Sequence, residues 1–294
     1  MKVLVTGGTG FVGSRVVHAL RAQDRDVRVL VRRPERAAQL AGWGAELATG
    51  DITDPATLTA ALAGCTHVVH LVAILSGSRA DFERVMTQGT KDLLAAAKAE
   101  GVEQFILMSA LGTSEASKDS VPYFAAKWNE EQAVLASDLQ HTIFRPSFVF
   151  GRGGALPLFV KQVRYSPVVT VIGDGLQRSQ PIWIEDVAAI FAQAVGNPRA
   201  ANRTFELGGP DTVTWNELYL TIARVLGKRR RLAHVPFGLA RLGARVTQVL
   251  PKAPLTTDQV TMLQGADNVV SNTDAVDTFK LPLLGLEEQI RRSI

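Results

Sequence analysis

The sequence predicts an α/β fold with a doubly wound parallel sheet. Apolar strand-like runs alternate with helical patterns through the first half of the chain, and the first run breaks into a glycine-rich turn. The runs are nearly continuous in apolar residues, as parallel strands buried on both faces must be. The chain opens with Lys2-Val3-Leu4-Val5, turns at Thr6-Gly7-Gly8-Thr9-Gly10-Phe11-Val12-Gly13, and continues with Val12, Val16, Val17 and Leu20 at helical spacing. In a strand, turn and helix of this kind the first glycine permits the tight turn and the second admits a pyrophosphate to backbone N–H groups. The third lets helix pack on strand, and the helix dipole favours the phosphate charge. The implied ligand is a dinucleotide, contacted at Gly7, Thr9, Gly10, Phe11, Val12 and Gly13, and the implied fold is of the Rossmann type.

Further strands are predicted at residues 27–31, 46–49, 67–72, 104–108 and 141–144, with helices at 34–41, 55–62, 81–99 and 122–137. The pattern loosens at Gly151-Arg152-Gly153-Gly154. A helix follows Glu185-Asp186-Val187-Ala188, and a strand at 204–207 ends at Gly208-Gly209-Pro210. The expected organisation is a dinucleotide-binding domain over residues 1–150, with 180–208 returning to it, and a mainly substrate-binding region over 151–294.

The 294 residues are 46% hydrophobic, enough for a large buried core. No segment approaches the run of about 20 apolar residues that spans a membrane, and a strand beginning at residue 2 leaves no room for a leader, so a cytoplasmic protein is expected. The lone Cys65 cannot form an internal disulfide. The five histidines (His18, His67, His70, His141, His234) show no ligand spacing with it, so no metal is expected. His67 and His70 read as packing or surface residues of an apolar strand. The net charge of +4 is concentrated at Arg32-Arg33 and Lys228-Arg229-Arg230-Arg231, which suits local anion sites rather than nucleic acid.

An acidic residue after the second strand would bind the 2′-hydroxyl of an NAD ribose, whereas arginine there suits a 2′-phosphate. Here Val31 runs into Arg32-Arg33, and Asp26 sits at the opposite end of the strand. Paired, charge-assisted contacts from guanidinium to phosphate favour NADP(H) over NAD(H). The candidate chemistry lies at Tyr123 and Lys127, one turn apart on a predicted helix, with Ser109 just past the strand at 104–108. A neighbouring ammonium stabilises a phenolate, so Tyr123 can exchange a proton with a carbonyl or alcohol on a small-molecule substrate, and Ser109 can polarise the same oxygen.

The glycine turn, Ser109 fourteen residues before Tyr123, and Tyr123-x-x-x-Lys127 together resemble the extended or atypical short-chain dehydrogenase/reductases, the NAD-dependent epimerase/dehydratase family. By that resemblance Gly50-Asp51-Ile52-Thr53-Asp54 would contact adenine through Asp51 and Ile52. Leu71, Val72 and Ala73 would lie beside the cofactor at the end of the fourth strand. Arg145-Pro146-Ser147-Phe148-Val149-Phe150-Gly151 would supply Pro146, Ser147 and Val149 beneath the nicotinamide, and Lys127 would also hold the ribose. Gln180-Pro181-Ile182-Trp183-Ile184-Glu185-Asp186-Val187-Ala188 resembles the family's return into the dinucleotide domain. Pro254-Leu255-Thr256-Thr257-Asp258-Gln259 and Asp267-Asn268-Val269-Val270 look most like the group of the NADPH-binding accessory subunit of respiratory complex I. The family's Val-Asn-x-x-Gly-Thr relay pattern is replaced by Val85-Met86-Thr87-Gln88-Gly89-Thr90; a thioether cannot relay a proton, so either the relay is dispensable, or Thr87 or Gln88 substitutes, or turnover is slow.

Three functions follow as expectations. The first is an NADPH-dependent oxidoreductase using Tyr123, Lys127 and Ser109. The second is a non-catalytic NADPH-binding structural or sensory subunit of a respiratory or membrane-associated complex. The third is a nucleotide-sugar epimerase/dehydratase, against which Arg32-Arg33 speak. Near the C-terminus Leu239, Leu242, Val246, Val249 and Leu250 fall at helical spacing with Arg241 and Arg245 off that stripe. Such a basic amphipathic helix can lie on an anionic membrane or a partner. The ordinary alternative, a helix with its apolar face in the core, is the expectation.

Overall fold

The computed structural model describes residues 1–247, 256–265, 267–270 and 273–294. In chain order the first elements are β1 (Lys2–Thr6), α1 (Phe11–Ala22), β2 (Asp26–Val31), α2 (Ala38–Gly42), β3 (Glu46–Thr49), α3 (Pro55–Leu62) and β4 (His67–His70). Then come α4 (Arg79–Phe82), α5 (Gly89–Ala99), β5 (Gln104–Met108), α6 (Pro122–Leu135) and β6 (Gln140–Pro146). Next follow β7 (Val149–Phe150), α7 (Leu156–Tyr165), β8 (Val168–Ile172), β9 (Arg178–Ser179), β10 (Ile182–Trp183), α8 (Ile184–Ala194), β11 (Arg203–Leu207) and β12 (Val213–Thr214). The last are α9 (Trp215–Val225), β13 (Arg231–Val235), α10 (Phe237–Thr247), α11 (Thr257–Leu263), α12 (Thr273–Phe279) and α13 (Leu286–Ser293).

Seven parallel strands form the main sheet in the order β11-β6-β5-β4-β1-β2-β3. The winding reverses at β1, whose neighbours β2 and β4 lead away in opposite directions. In sheets of this type the crevice beyond the carboxyl ends of the strands at that reversal is where ligands bind. One layer of core beneath the sheet gathers Leu4, Leu58, Leu62, Val68, Leu93, Phe105 and Ile143, all buried. Local chemistry agrees with the fold. Asp54 caps α3 by accepting from the Ala56 N–H at 3.2 Å, with Pro55 pre-set for the first turn.

The chain divides into two compact units. The first comprises Met1–Pro146, Ile184–Leu207 and Asn272–Pro282; the second comprises Ser147–Trp183, Gly208–Ser271 and Leu283–Ile294. The division therefore falls at 146 rather than 150, the returning segment is 184–207 rather than 180–208, and a late segment around α12 also belongs to the sheet-bearing unit. The reason for that last difference is aromatic: Phe279 packs on Phe205 and Phe144, with ring centroids at 5.2 and 5.8 Å. A lone phenylalanine in a polar stretch carries no periodicity by which sequence could place it.

There are other local differences. The fourth strand stops at His70 rather than 72, although the Leu71 N–H still donates to the Thr6 carbonyl at 3.1 Å. The helix expected at 34–41 is a short 3₁₀ turn, Pro34–Arg36, followed by α2. The long helix expected at 81–99 is interrupted by a π-helical stretch, Glu83–Gln88. Such insertions concentrate at functional sites.

Gly13 tests how tight the turn is. A Cβ there would lie 2.1 Å from the Gly7 carbonyl oxygen, whereas one at Gly42 would meet nothing within 4 Å. Gly13→Ala is expected to lower the melting temperature by about 3 °C or more, and Gly42→Ala to leave it unchanged or raise it slightly. Thermal unfolding followed by circular dichroism reads both; equal behaviour would show that helix α1 does not depend on that close approach.

Candidate active site

The glycine turn joins β1 to α1 at the reversal point. Gly7 adopts φ +74°, open to glycine but strained for other residues. A Cβ on it would lie 2.7 to 2.9 Å from backbone atoms of Leu71 and Val72, so the turn and the loop after β4 touch through main chain alone. Gly10 caps α1 with extended backbone and no side-chain bond, and the first turn holds no acidic residue. The free N–H groups of Phe11, Val12 and Gly13 and the positive end of the dipole are thus left for an anion. These are the features a pyrophosphate needs.

The other expected cofactor contacts distribute as follows. Arg32 and Arg33 follow β2 and are exposed, and their guanidinium groups make no hydrogen bond or ion pair among the described residues. They are free to meet an external anion. Asp51 is turned inward on its own loop, accepting from the Thr53 N–H and hydroxyl, both at 2.9 Å, while Ile52 packs against Gly89. Leu71 and Val72 are half-buried and Ala73 is exposed. The Pro146 carbonyl accepts from the Leu111 N–H at 3.0 Å. Ser147 and Val149 lie in the second unit. There Ser147 donates to the Gln180 carbonyl, and Val149 pairs with Ile182 of β10.

Tyr123 and Lys127 stand one turn apart on α6, whose start is set by Pro122 after an extended Val121. The Lys127 ammonium is buried and has two anchors: it donates to the Met108 carbonyl at 2.8 Å and lies 2.9 Å from Glu130 Oε2. Met108 immediately precedes Ser109, so this bond ties α6 to the end of β5. Ser109 is buried, with its Oγ 3.4 Å from the Thr113 hydroxyl, and makes no hydrogen bond to Tyr123. An ammonium has three donors, and the Met108 carbonyl takes one; the 2.9 Å approach of Glu130 Oε2 is an ion pair rather than an aligned hydrogen bond.

Behind Lys127 runs a buried polar chain that sequence reasoning did not identify. Thr90 donates to Glu130 Oε1 at 2.9 Å, His70 Nε2 lies 2.9 Å from the same hydroxyl, and His70 Nδ1 lies 2.6 Å from the Thr6 hydroxyl. Because the Thr90 proton goes to the carboxylate, the Thr90 oxygen must accept from His70, which places the imidazole proton on Nε2 and leaves Nδ1 to accept from Thr6. Burial pulls the His70 pKa down, despite the opposing pull of Glu130, and keeps the ring neutral. Burial opposes ionisation of Glu130 and Lys127 as well, but their mutual attraction prevails: the carboxyl is held below its ordinary value and the ammonium above its own. The signal that could have revealed Glu130 is its place three residues after Lys127, on the same helical face.

Tyr123 faces an apolar cluster of Ile74, Phe82, Met86 and Ala126. Burial pushes its phenol up; Lys127 draws it down and Glu130 pushes it up again. The pair thus offsets its own effect, and Tyr123 stays protonated at neutral pH. Met86, where the family pattern has asparagine, is wholly buried against this cluster and offers no relay.

A parallel sheet reversing at a glycine turn, with a tyrosine and a lysine one turn apart beside it, defines a dinucleotide-type α/β protein. The family model of the NAD-dependent epimerase/dehydratase family matches residues 3–208, and the chain belongs to that family of NAD(P)-binding proteins. It is 33% identical to the ceramide reductase of Caulobacter vibrioides over 83% of this chain and 77% of that one. To subunit 9 of the NADH dehydrogenase [ubiquinone] 1 alpha subcomplex of Arabidopsis thaliana it is 28% identical, over 92% of this chain and 69% of the other. In fold it matches an NADPH-dependent quinone oxidoreductase of Escherichia coli, solved with NADPH, at a TM-score of 0.80, with 20% identity over 98% of each chain.

The buried pair makes a stability claim. Glu130, held low, contributes stability that is present above the ordinary carboxylate value of 4.5 and lost as pH falls through its lower folded value. Lys127, held high, contributes stability present below 10.5 and lost as pH rises through its higher folded value. Glu130→Gln is expected to cost about 3 kcal/mol or more at neutral pH, and the deficit to narrow below pH 4.5 and again above 10.5. Denaturant unfolding across pH reads this. A variant as stable as wild type at neutral pH would remove the pair from the account.

Proposed function

We propose that the protein is an NADPH-dependent reductase acting on the carbonyl of a small molecule. Tyr123 donates the proton, Ser109 orients the carbonyl oxygen, and Lys127 fixes the charge behind Tyr123 with a donor left for a ribose. The observation that carries this reading is the environment of Tyr123. Burial beside the apolar cluster raises the phenol, and Glu130 opposes the lowering effect of Lys127, so Tyr123 is held in the protonated form that carbonyl reduction consumes. When bound, the nicotinamide supplies the hydride. The glycine turn fits its pyrophosphate through Gly7, Thr9, Gly10, Phe11, Val12 and Gly13. The unpaired Arg32 and Arg33 fit a 2′-phosphate and favour NADP(H) over NAD(H). Asp51, Ile52, Leu71, Val72, Ala73, Pro146, Ser147 and Val149 complete the proposed cofactor contacts. Names among the relatives and fold neighbours, a ceramide reductase and a quinone oxidoreductase, support reduction as the chemistry. No helix among the described residues is long and apolar enough to cross a membrane, and a cytoplasmic location is part of the proposal.

A second reading, a cofactor-holding subunit without turnover, draws on Met86, which removes the family's relay residue, and on the complex I subunit among the relatives. The two separate by hydride transfer. With NADPH deuterated at C4 and a metabolite extract, wild type is expected to place deuterium in a product, and Tyr123→Phe to lose at least about a hundredfold of that rate while binding NADPH normally. Wild type that binds NADPH and transfers nothing would favour the subunit. For the cofactor, Arg32→Ala with Arg33→Ala is expected to weaken NADPH binding by about tenfold or more and NADH binding little. Calorimetric titration reads both, and equal losses would overturn the 2′-phosphate assignment.

A further inference from the structure

The expectation that α10 packs its apolar stripe into the core is overturned by the structure. Leu239, Leu242 and Val246 are 62%, 59% and 67% exposed, and the helix rests instead on its opposite side through the buried Ala244 and the half-buried Ala240 and Phe237. Phe237 anchors the helix start: a Cβ on Gly173, at the end of β8, would come within 2.5 Å of its ring. Val249 and Leu250, the rest of the stripe, lie outside the described residues. Leaving three aliphatic side chains of one helical face in water forgoes burial that a core helix would gain.

The charge along this stretch of chain has one sign, with Asp258 on α11 and Asp174 after β8 the acidic groups on the neighbouring elements. From residue 218 to residue 257 the sequence contains eight lysines and arginines and no aspartate or glutamate, while the whole chain nets only +4. Arg241 and Arg245 flank the stripe on α10, and both are exposed. Arg241 bonds to the neutral Gln264, and Arg245 has no ion pair among the described residues. Upstream of β13 and at its start, Lys228, Arg229 and Arg231 are likewise exposed and unpaired among the described residues, whereas Arg230 is used internally, donating to the Val163 and Arg164 carbonyls at the end of α7.

We propose that α10 is a docking face for an anionic lipid surface, its leucine and valine stripe entering the boundary between headgroups and acyl chains while Arg241 and Arg245 meet lipid phosphates. Lys228, Arg229 and Arg231 add to the attracting field at longer range. Two features favour lipid over a protein surface. The stripe is purely aliphatic, without the tyrosine, tryptophan or phenylalanine that anchor protein interfaces. The charged side chains on α10 itself are all basic, as on helices that lie in the plane of anionic bilayers. The proposal rests on the second unit alone and is independent of the chemistry assigned to Tyr123.

Sedimentation with vesicles tests it, using the full-length protein with phosphatidylcholine vesicles and with the same vesicles containing phosphatidylglycerol. Wild type is expected to bind the anionic vesicles at least about tenfold more tightly than the neutral ones, less so as salt rises. Leu239→Gln with Leu242→Gln and Val246→Gln is expected to lose about tenfold or more of that binding while keeping the wild-type melting temperature. Equal binding by the triple variant, or no binding by wild type, would overturn the proposal. So would sedimentation velocity showing that wild type is a dimer which the triple variant converts to monomer, since the face would then be covered by a second copy. Should the triple variant fail to fold, Leu242→Trp supplies a reporter: its fluorescence is expected to shift to the blue and be quenched by brominated lipid, and an unmoved spectrum on anionic vesicles contradicts insertion.

Discussion

The buried ion pair between Lys127 and Glu130 is the constraint on which the rest of the site depends. Two opposite charges in an apolar interior persist only with close approach and further hydrogen bonds. Both are supplied here by groups from different elements: the Met108 carbonyl of β5, Thr90 of α5, His70 of β4 and Thr6 of β1. One polar chain therefore laces the centre of the sheet to the helix that carries Tyr123. It fixes the position of the lysine and also opposes its effect, because the carboxylate raises the Tyr123 phenol where the ammonium lowers it, and burial raises it further.

The glycine turn works by a different constraint, steric rather than electrostatic. Gly7 and Gly13 bring main chain against main chain so closely that a methyl group would collide, and the helix N-terminus is left without a side-chain cap. What the turn lacks, namely caps, acids and side-chain bulk, is what an anion would supply or occupy. Arg32 and Arg33 extend the same logic to the end of β2, where two exposed guanidinium groups have no ion pair among the described residues.

Much of this was legible in the sequence because it depends on local pattern. The strands of the sheet, the glycine turn and the one-turn spacing of Tyr123 and Lys127 follow from periods of two and 3.6 and from the residues that break them. What was not legible depends on residues far apart in the chain. Thr6, His70, Thr90 and Glu130 are ordinary side chains until the topology aligns β1, β4, α5 and α6, and His70 read as packing because nothing local shows what its nitrogens meet. The π-helical stretch at Glu83–Gln88 leaves no mark in a helical pattern. The amphipathic stripe of α10 was legible as a pattern, but its direction was not, since a period reports that one face is apolar and not whether that face meets protein or water.

The central claim is that this site holds Tyr123 as a proton donor. The most direct measurement is the titration of its phenol in protein labelled with ¹³C at the tyrosine ζ carbon, followed by NMR with NADPH bound. Of the three tyrosine resonances, that of Tyr123 is identified by its loss in Tyr123→Phe. The account predicts a Tyr123 phenol that remains protonated above the ordinary tyrosine value of 10. A Tyr123 resonance already in the phenolate form near neutral pH would contradict it.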